Sequence, residues 1–204
     1  MLQEKKLEHQ MKTEAVWERR QDFLTLNPTG EVPVLVEADG TALSGSDAIC
    51  EFLDEVHPEP GLYGRHSLQR AEVRRLIYWF DRKFNIEVTQ NLVSEKIMKR
   101  FLGLGEPDSN VIRAGHANMH QHLEYISFLT DRRKWLAGDD MSLADFTAAA
   151  HLSCVDYLGD VPWTEHTAAK DWYVRVKSRP CFRTLLEDHI PGAAPAAHYA
   201  NLDF

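Results

Sequence analysis

At 204 residues the chain can bury one sizeable core or two small ones. Its 31 acidic against 23 basic side chains leave a formal net charge of −8. That balance offers no basic surplus to displace counterions from nucleic acid, and an anionic ligand must be held by local donors against an unfavourable field. Three widely spaced cysteines, Cys50, Cys154 and Cys181, form no CxxC pair and fit a reducing compartment better than a disulfide framework. No stretch approaches the ~18 apolar residues of a membrane span, and the charged start MLQEKKLEHQ is unlike a signal peptide. The expectation is a cytoplasmic protein with no nucleic-acid and no membrane partner.

In chain order, Leu7 to Thr13 reads as a strand and Trp17 to Leu26 as a short helix, stopped by the turn-forming Asn27-Pro28-Thr29-Gly30. Val32 to Val36 is β-rich, Ala38-Asp39-Gly40-Thr41 signals a hairpin, and Ala42-Leu43 resumes the sheet. Pro33 sits inside the first of these strands, where it removes a ladder hydrogen bond. From Asp47 the apolar residues Ile49, Phe52, Leu53 and Val56 follow helical spacing, and the helix ends before Pro58.

HPEPGLYGRHS, residues 57–67, punctuates the pattern with two prolines and two glycines. The predicted organisation is an α/β domain over 1–57, a linker over 58–68 and an all-helical domain over 69–204. In the helical part Val73, Leu76, Ile77, Phe80, Phe84 and Val88 make one apolar stripe on a helix running toward Leu102. Further helices are predicted over about 111–135, from Ser142 and from near Thr167. The 191–204 tail reads as irregular, with Tyr199 and Phe204 as aromatic anchors.

Met141-Ser142-Leu143-Ala144-Asp145-Phe146 carries the strongest local signal. Ser142 as N-cap and Asp145 three residues on form a capping box, with Met141 and Phe146 as a hydrophobic staple.

NPTGEVPVL (27–35), LSGSDAICEFL (43–53), WLAGDDMSLADF (135–146) and WYVRVKSRPCFRTLL (172–186), in this order and at this spacing, resemble the cytosolic glutathione transferase family of bacterial type. The resemblance implies α/β plus all-α architecture: a thioredoxin-like N-terminal domain, here incomplete, followed by a helical C-terminal domain. It implies glutathione as co-substrate, no metal, a small electrophile as second substrate, and a homodimer. It aligns Pro33 with the family's cis-proline, whose geometry lets the Val32 backbone pair with an extended peptide as an added strand does. Ser46, at the start of the following helix, would then offer its hydroxyl and nearby N–H groups to the γ-glutamyl carboxylate. Read without the family, Ser44 or Ser46 simply caps that helix, and Ser44 with Asp47 fits a capping box.

Two residues depart from the family pattern. Gly45 stands where Glu or Gln is usual, and Glu31 replaces a Gln that helps hold the glycyl end. Arg19 and Arg20 can supply a replacement charge or simply form a solvated face. MLQEKKLEH resembles only the last turn of the family's first helix, so the activating Ser, Cys or Tyr has no counterpart and the catalytic residue is unknown. All three cysteines read as small buried apolar residues. His116, His120 and His122 share one helix, and His116 with His120 has metal-gripping spacing, but no third ligand is evident.

The expected function is attack of glutathione thiolate on a small electrophile, with Val32, Pro33 and Ser46 holding the peptide and Trp79 on the side of the hydrophobic substrate. The alternatives are a non-catalytic binding or dimerisation module on the same fold, and a glutathione-dependent isomerase or dehalogenase.

Overall fold

Val34–Val36 (β1) and Ala42–Ser44 (β2) form the expected antiparallel hairpin, with Val34 opposite Ser44 and Val36 opposite Ala42. Its turn is closed by Gly40 N–H donating to the Glu37 carbonyl and by Asp39 Oδ1 accepting from Thr41 N–H at 2.8 Å. The computed structural model describes residues 1–202 and Phe204. Two units separate between Gly61 and Leu62, inside the stretch read as a linker. Leu62 and Tyr63 are almost fully buried, and the Leu62 carbonyl accepts from Leu143 N–H, so the end of that stretch belongs to the second unit.

In the first unit Leu7 to Thr13 is not a strand. Among the described residues β1 and β2 pair only with each other, and Met11 is 86% exposed, so the segment has neither a ladder nor a core to order it. The helix expected over Trp17 to Leu26 is broken: a 3₁₀ turn covers Val16–Glu18, Arg19 adopts φ 48°, and a helix resumes at Gln21–Leu26 (α1). The helix after β2 is Ser46–Val56 (α2), which buries Ile49 and Leu53. Lys5 closes its C-terminal end. The fully buried ammonium meets Asp54 at 2.9 Å and donates to the carbonyls of His57 and Pro60 at 2.6 and 2.7 Å, the partner set that a buried cation at a helix C-terminus requires.

The second unit is helical. Ser67–Tyr78 continues through a wider, π-wound Trp79–Met98 into Lys99–Leu102 as one long helix (α3), ending where Gly103 turns to φ 64°. The stripe from Val73 to Val88 is buried throughout, and Leu92 extends it. Ser109–Thr130 (α4) stops five residues short of the expected end. Leu143–Tyr157 (α5), Thr167–Lys177 (α6) and Pro180–Arg183 (α7) follow. Helices α3 and α4 approach closely at Gly115, where an added Cβ would lie 2.9 Å from Leu92 side-chain atoms. Met119, Leu123 and Ile126 of α4 and Leu152 and Val155 of α5 complete a solvent-free core with Trp172, Tyr173 and Val176 of α6.

Asp145 starts α5 as the sequence predicts, and it does more than cap. Its Oδ2 accepts from Ser142 N–H at 2.9 Å and from Ser142 Oγ at 3.1 Å. Its Oδ1 accepts from Leu136 N–H and Trp172 Nε1, both at 2.9 Å. We therefore expect Asp145→Ala to cost about 3–5 kcal/mol, beyond the ~1 kcal/mol of a lost cap, because buried donors would be stranded. Ser142→Ala should stay near ~1 kcal/mol. Denaturant midpoints of the two variants check the difference; equal losses would reduce Asp145 to an ordinary cap.

Candidate functional site

Asn27 builds the approach to the hairpin. Its buried amide donates to the Glu31 carbonyl at 2.7 Å while its Oδ1 accepts from Thr29 N–H and Oγ1, which folds the 27–31 loop around one side chain. The Val32–Pro33 bond that follows is cis. The Pro33 carbonyl accepts from Gly45 N–H at 3.2 Å, which continues the β1–β2 register by one step. Val32 and Ser46 therefore emerge side by side at the same end of the hairpin. Val32 is 56% exposed and has no hydrogen-bond partner among the described residues.

Ser46 is the first residue of α2, and Gly45, at φ 87°, is its N-cap. The expectation that a serine caps this helix is thus corrected. The backbone at the cap lies in the left-handed region that glycine adopts without strain, and nothing crowds it. Ser46 Oγ is left exposed beside the N–H groups of the first helical turn, an arrangement suited to a carboxylate. Of the two arginines, Arg20 is engaged by Glu14 at 3.0 Å and Asp22 at 3.2 Å. Arg19 instead lies against Gly30, two residues from Val32, with its Nη1 3.7 Å from where a Gly30 Cβ would be. Glu31 is exposed in the same loop and opposes an anion there.

Trp79 belongs to the second unit. Its indole N–H donates to His122 Nδ1 at 3.1 Å, its ring lies 4.6 Å from that of Tyr125, and the Lys83 ammonium stands over its face. An indole only donates, so His122 Nδ1 must accept and Nε2 carries the proton, which it gives to Glu87 Oε2 at 3.0 Å. Glu87 also pairs with Lys83. Phe80 and Phe84 beside it are core residues with no exposed surface.

Residues 1–56 match the family description "Glutathione S-transferase, N-terminal domain", and residues 96–180 match "Glutathione S-transferase, C-terminal domain". The chain belongs to the glutathione S-transferase family. It is 52% identical over 191 residues to FtsZ-localized protein A of Caulobacter vibrioides, covering 92% of this chain and 84% of that protein. A crystal structure of a glutathione S-transferase from Rhodospirillum rubrum superposes with a TM-score of 0.97 at 59% identity, covering 100% of this chain and 91% of that one. Glutathione S-transferase 2 of Saccharomyces cerevisiae is 28% identical over 175 residues, or 83% of this chain and 72% of that protein. The transferase architecture expected from the sequence, an α/β N-terminal part and a helical C-terminal part, is the fold of this chain.

No cysteine is the small buried residue expected. Cys154 is exposed, and Cys50 and Cys181 are half-buried. The three histidines of α4 part company. His116 faces Asp160 at 3.6 Å, His120 bonds to His166, and His122 joins Trp79 and Glu87. Among the described residues no three His, Cys, Asp or Glu side chains group to hold a metal, and no helix is long and apolar enough to cross a membrane. Sequence reasoning marked Asn27-Pro28-Thr29-Gly30 as a turn but missed that the Asn27 side chain organises it, although Asn-Pro-Thr-Gly carries the Asx-turn chemistry that could have revealed this.

Burial pushes the His122 pKa below 6.5, with Glu87 only partly opposing it. A base whose folded pKa is depressed contributes stability above its unfolded pKa and loses it as pH falls through the folded value. Urea midpoints should therefore drop as pH falls below the unfolded histidine pKa of about 6.5. His122→Gln, which keeps one acceptor and one donor, should flatten that slope. An unchanged slope would show that His122 titrates alike in both states.

Proposed function

We propose that this chain is a binding protein on the glutathione transferase fold whose partner is FtsZ, with glutathione conjugation a minor activity. The observation that carries this reading is the 52% identity with FtsZ-localized protein A, against 28% with the yeast transferase. The site geometry supports it. The hairpin end offers a peptide the main chain of Val32, the hydroxyl of Ser46 and a nearby Arg19, with Glu31 opposed. Neutral hydrogen bonds net only ~0.5–1.5 kcal/mol each and a charged one ~1.5–3 kcal/mol. After the cost of association, roughly millimolar glutathione affinity follows. The residue that would hold the thiolate is unassigned, and a thiol at its ordinary pKa of about 8.5 stays mostly protonated near neutral pH.

The second reading is conjugation of glutathione to a small electrophile, and it is favoured by the similarity to the Rhodospirillum rubrum glutathione S-transferase. In it Val32, Pro33 and Ser46 hold the peptide, Trp79 borders the electrophile, and the thiolate attacks and displaces or adds to the electrophilic carbon. Isomerisation or dehalogenation would use the same bound thiolate. Under either reading we place the protein in the cytoplasm as a homodimer.

Co-sedimentation with FtsZ of the same cell, with and without GTP, tests the first reading, beside glutathione calorimetry and an aryl-halide conjugation assay. The expected result is pelleting that depends on polymer, with millimolar or weaker glutathione binding and little turnover. Absence of pelleting together with micromolar glutathione binding and turnover would overturn it in favour of the second reading.

A further inference from the structure

His120 and His166 were not read as a pair in the sequence, since 46 residues separate them. In the fold His120 Nδ1 lies 2.9 Å from His166 Nε2, with ring centroids 5.1 Å apart. His120 projects from the middle of α4, and His166 is the N-cap of α6. At this distance one nitrogen must carry a proton and the other must accept it. A single added proton is tolerated, because a charged N–H still donates to a neutral nitrogen. A second leaves two cations and no acceptor.

The surroundings decide what the pair is for. His166 is 9% exposed and caps the N-terminus of a helix, where the dipole disfavours positive charge. That environment opposes a bound metal cation as much as a proton, and the nearby carboxylates, Glu124 one turn along α4 and Glu165 beside His166, are both exposed. On α6 the nearest cation is Lys170, whose N–H bonds the His166 carbonyl and whose ammonium sits over the Phe204 ring.

The other end of the same connection is pinned with opposite polarity. Asp160 accepts from Lys96 of α3 at 2.5 and 2.6 Å and faces His116 of α4 at 3.6 Å. There a carboxylate and not a second imidazole faces the ring, whereas doubly protonating the His120–His166 pair leaves two cations and no acceptor.

We infer that the His120–His166 pair is an acid-sensitive latch that holds the start of α6 and the Trp163–Glu165 turn onto α4, and that acid opens this end of the α5–α6 connection while the Asp160 end stays closed. Burial and the neighbouring His120 lower the His166 pKa, with Glu124 and Glu165 opposing. The sign follows: protection is complete above the unfolded histidine pKa of about 6.5 and is lost as pH falls through the folded value.

Hydrogen–deuterium exchange of the full chain at about pH 7.5 and about pH 5, corrected for intrinsic rates, tests the latch. The expected result is loss of protection over residues 163–170 by about tenfold or more at the acidic pH, one pKa unit being tenfold in equilibrium. Protection around Asp160 should hold or rise. His120→Gln retains a neutral hydrogen-bonding side chain and should keep protection over 163–170 at both pH values, as should His166→Gln. Wild-type protection that does not change with pH would overturn the proposal. So would acid loss in both glutamine variants equal to that of wild type, which would place the sensitivity elsewhere.

Discussion

The helical unit depends on one carboxylate taken wholly out of water. Asp145 has no exposed surface, and burial pushes its pKa up, while four donors from Leu136, Ser142 and Trp172 pull it back toward the charged form. Desolvation alone would neutralise such a group, so the donors are the condition for its charge rather than an addition to it. The four donors come from three places in the chain. The result fixes where α5 begins, how the turn around Trp135–Gly138 closes against it, and how deep the α6 indole of Trp172 enters.

Helix α5 repeats the device. Asp156 lies eleven residues, or about three turns, beyond Asp145, and so on the same face. It too is fully buried, accepting from Trp163 Nε1 at 2.7 Å and meeting His198 Nε2 at 2.8 Å and Lys177 Nζ at 3.6 Å. Two indoles from the following segment thus read two carboxylates on one stripe. Sliding α6 along α5 by a turn would strand both, whereas a purely apolar interface would tolerate the shift at smaller cost. The tail is tied into the second centre: Lys177 lies against the rings of Tyr173, Tyr199 and Phe204, and Tyr157 donates to the Ala193 carbonyl at 2.6 Å. An irregular segment is thus tied to α5 and α6 by the Lys177 ammonium and the Tyr157 hydroxyl, together with the His198–Asp156 and Tyr199–Ser153 bonds.

How much of this was legible depended on the range of the interaction. The capping residues Ser142 and Asp145, the α3 stripe and the hairpin turn act within a few residues, and periodicity or turn chemistry reveals them. The Val32–Pro33 geometry was legible only through resemblance, because a local Val-Pro signal does not specify an isomer. The Leu7–Thr13 strand was misread because alternation states which face a strand would bury and not whether a neighbour exists to pair with it. The actual partners of the α4 histidines were hidden for a related reason. Helical spacing placed His116 and His120 on one face, but their partners, Asp160 and His166, come from a connection far along the chain. Lys5 with Asp54, and the second role of Asp145, were hidden in the same way: ionic partners across tens of residues leave no periodic trace.

The hairpin end shows why fold and function separate here. What positions Val32 beside Ser46 is main chain and one buried amide: the Asn27 loop, the Pro33–Gly45 bond and the glycine at the helix cap. None of these contacts uses an exposed side chain, so the frame that would receive an extended peptide is encoded by backbone-shaping residues. Affinity and chemistry are encoded by the exposed ones, and there the balance shifts. Arg19 stands near the loop, Glu31 opposes it, and a net charge of −8 gives no long-range help to an anionic tripeptide. Under the proposed function the exposed Val32 main chain and Ser46 hydroxyl would serve a protein segment as well as glutathione, since strand addition depends on backbone groups and not on the identity of the peptide. The proposed exchange of a small ligand for a macromolecular one would then require changes among exposed side chains and none in the core.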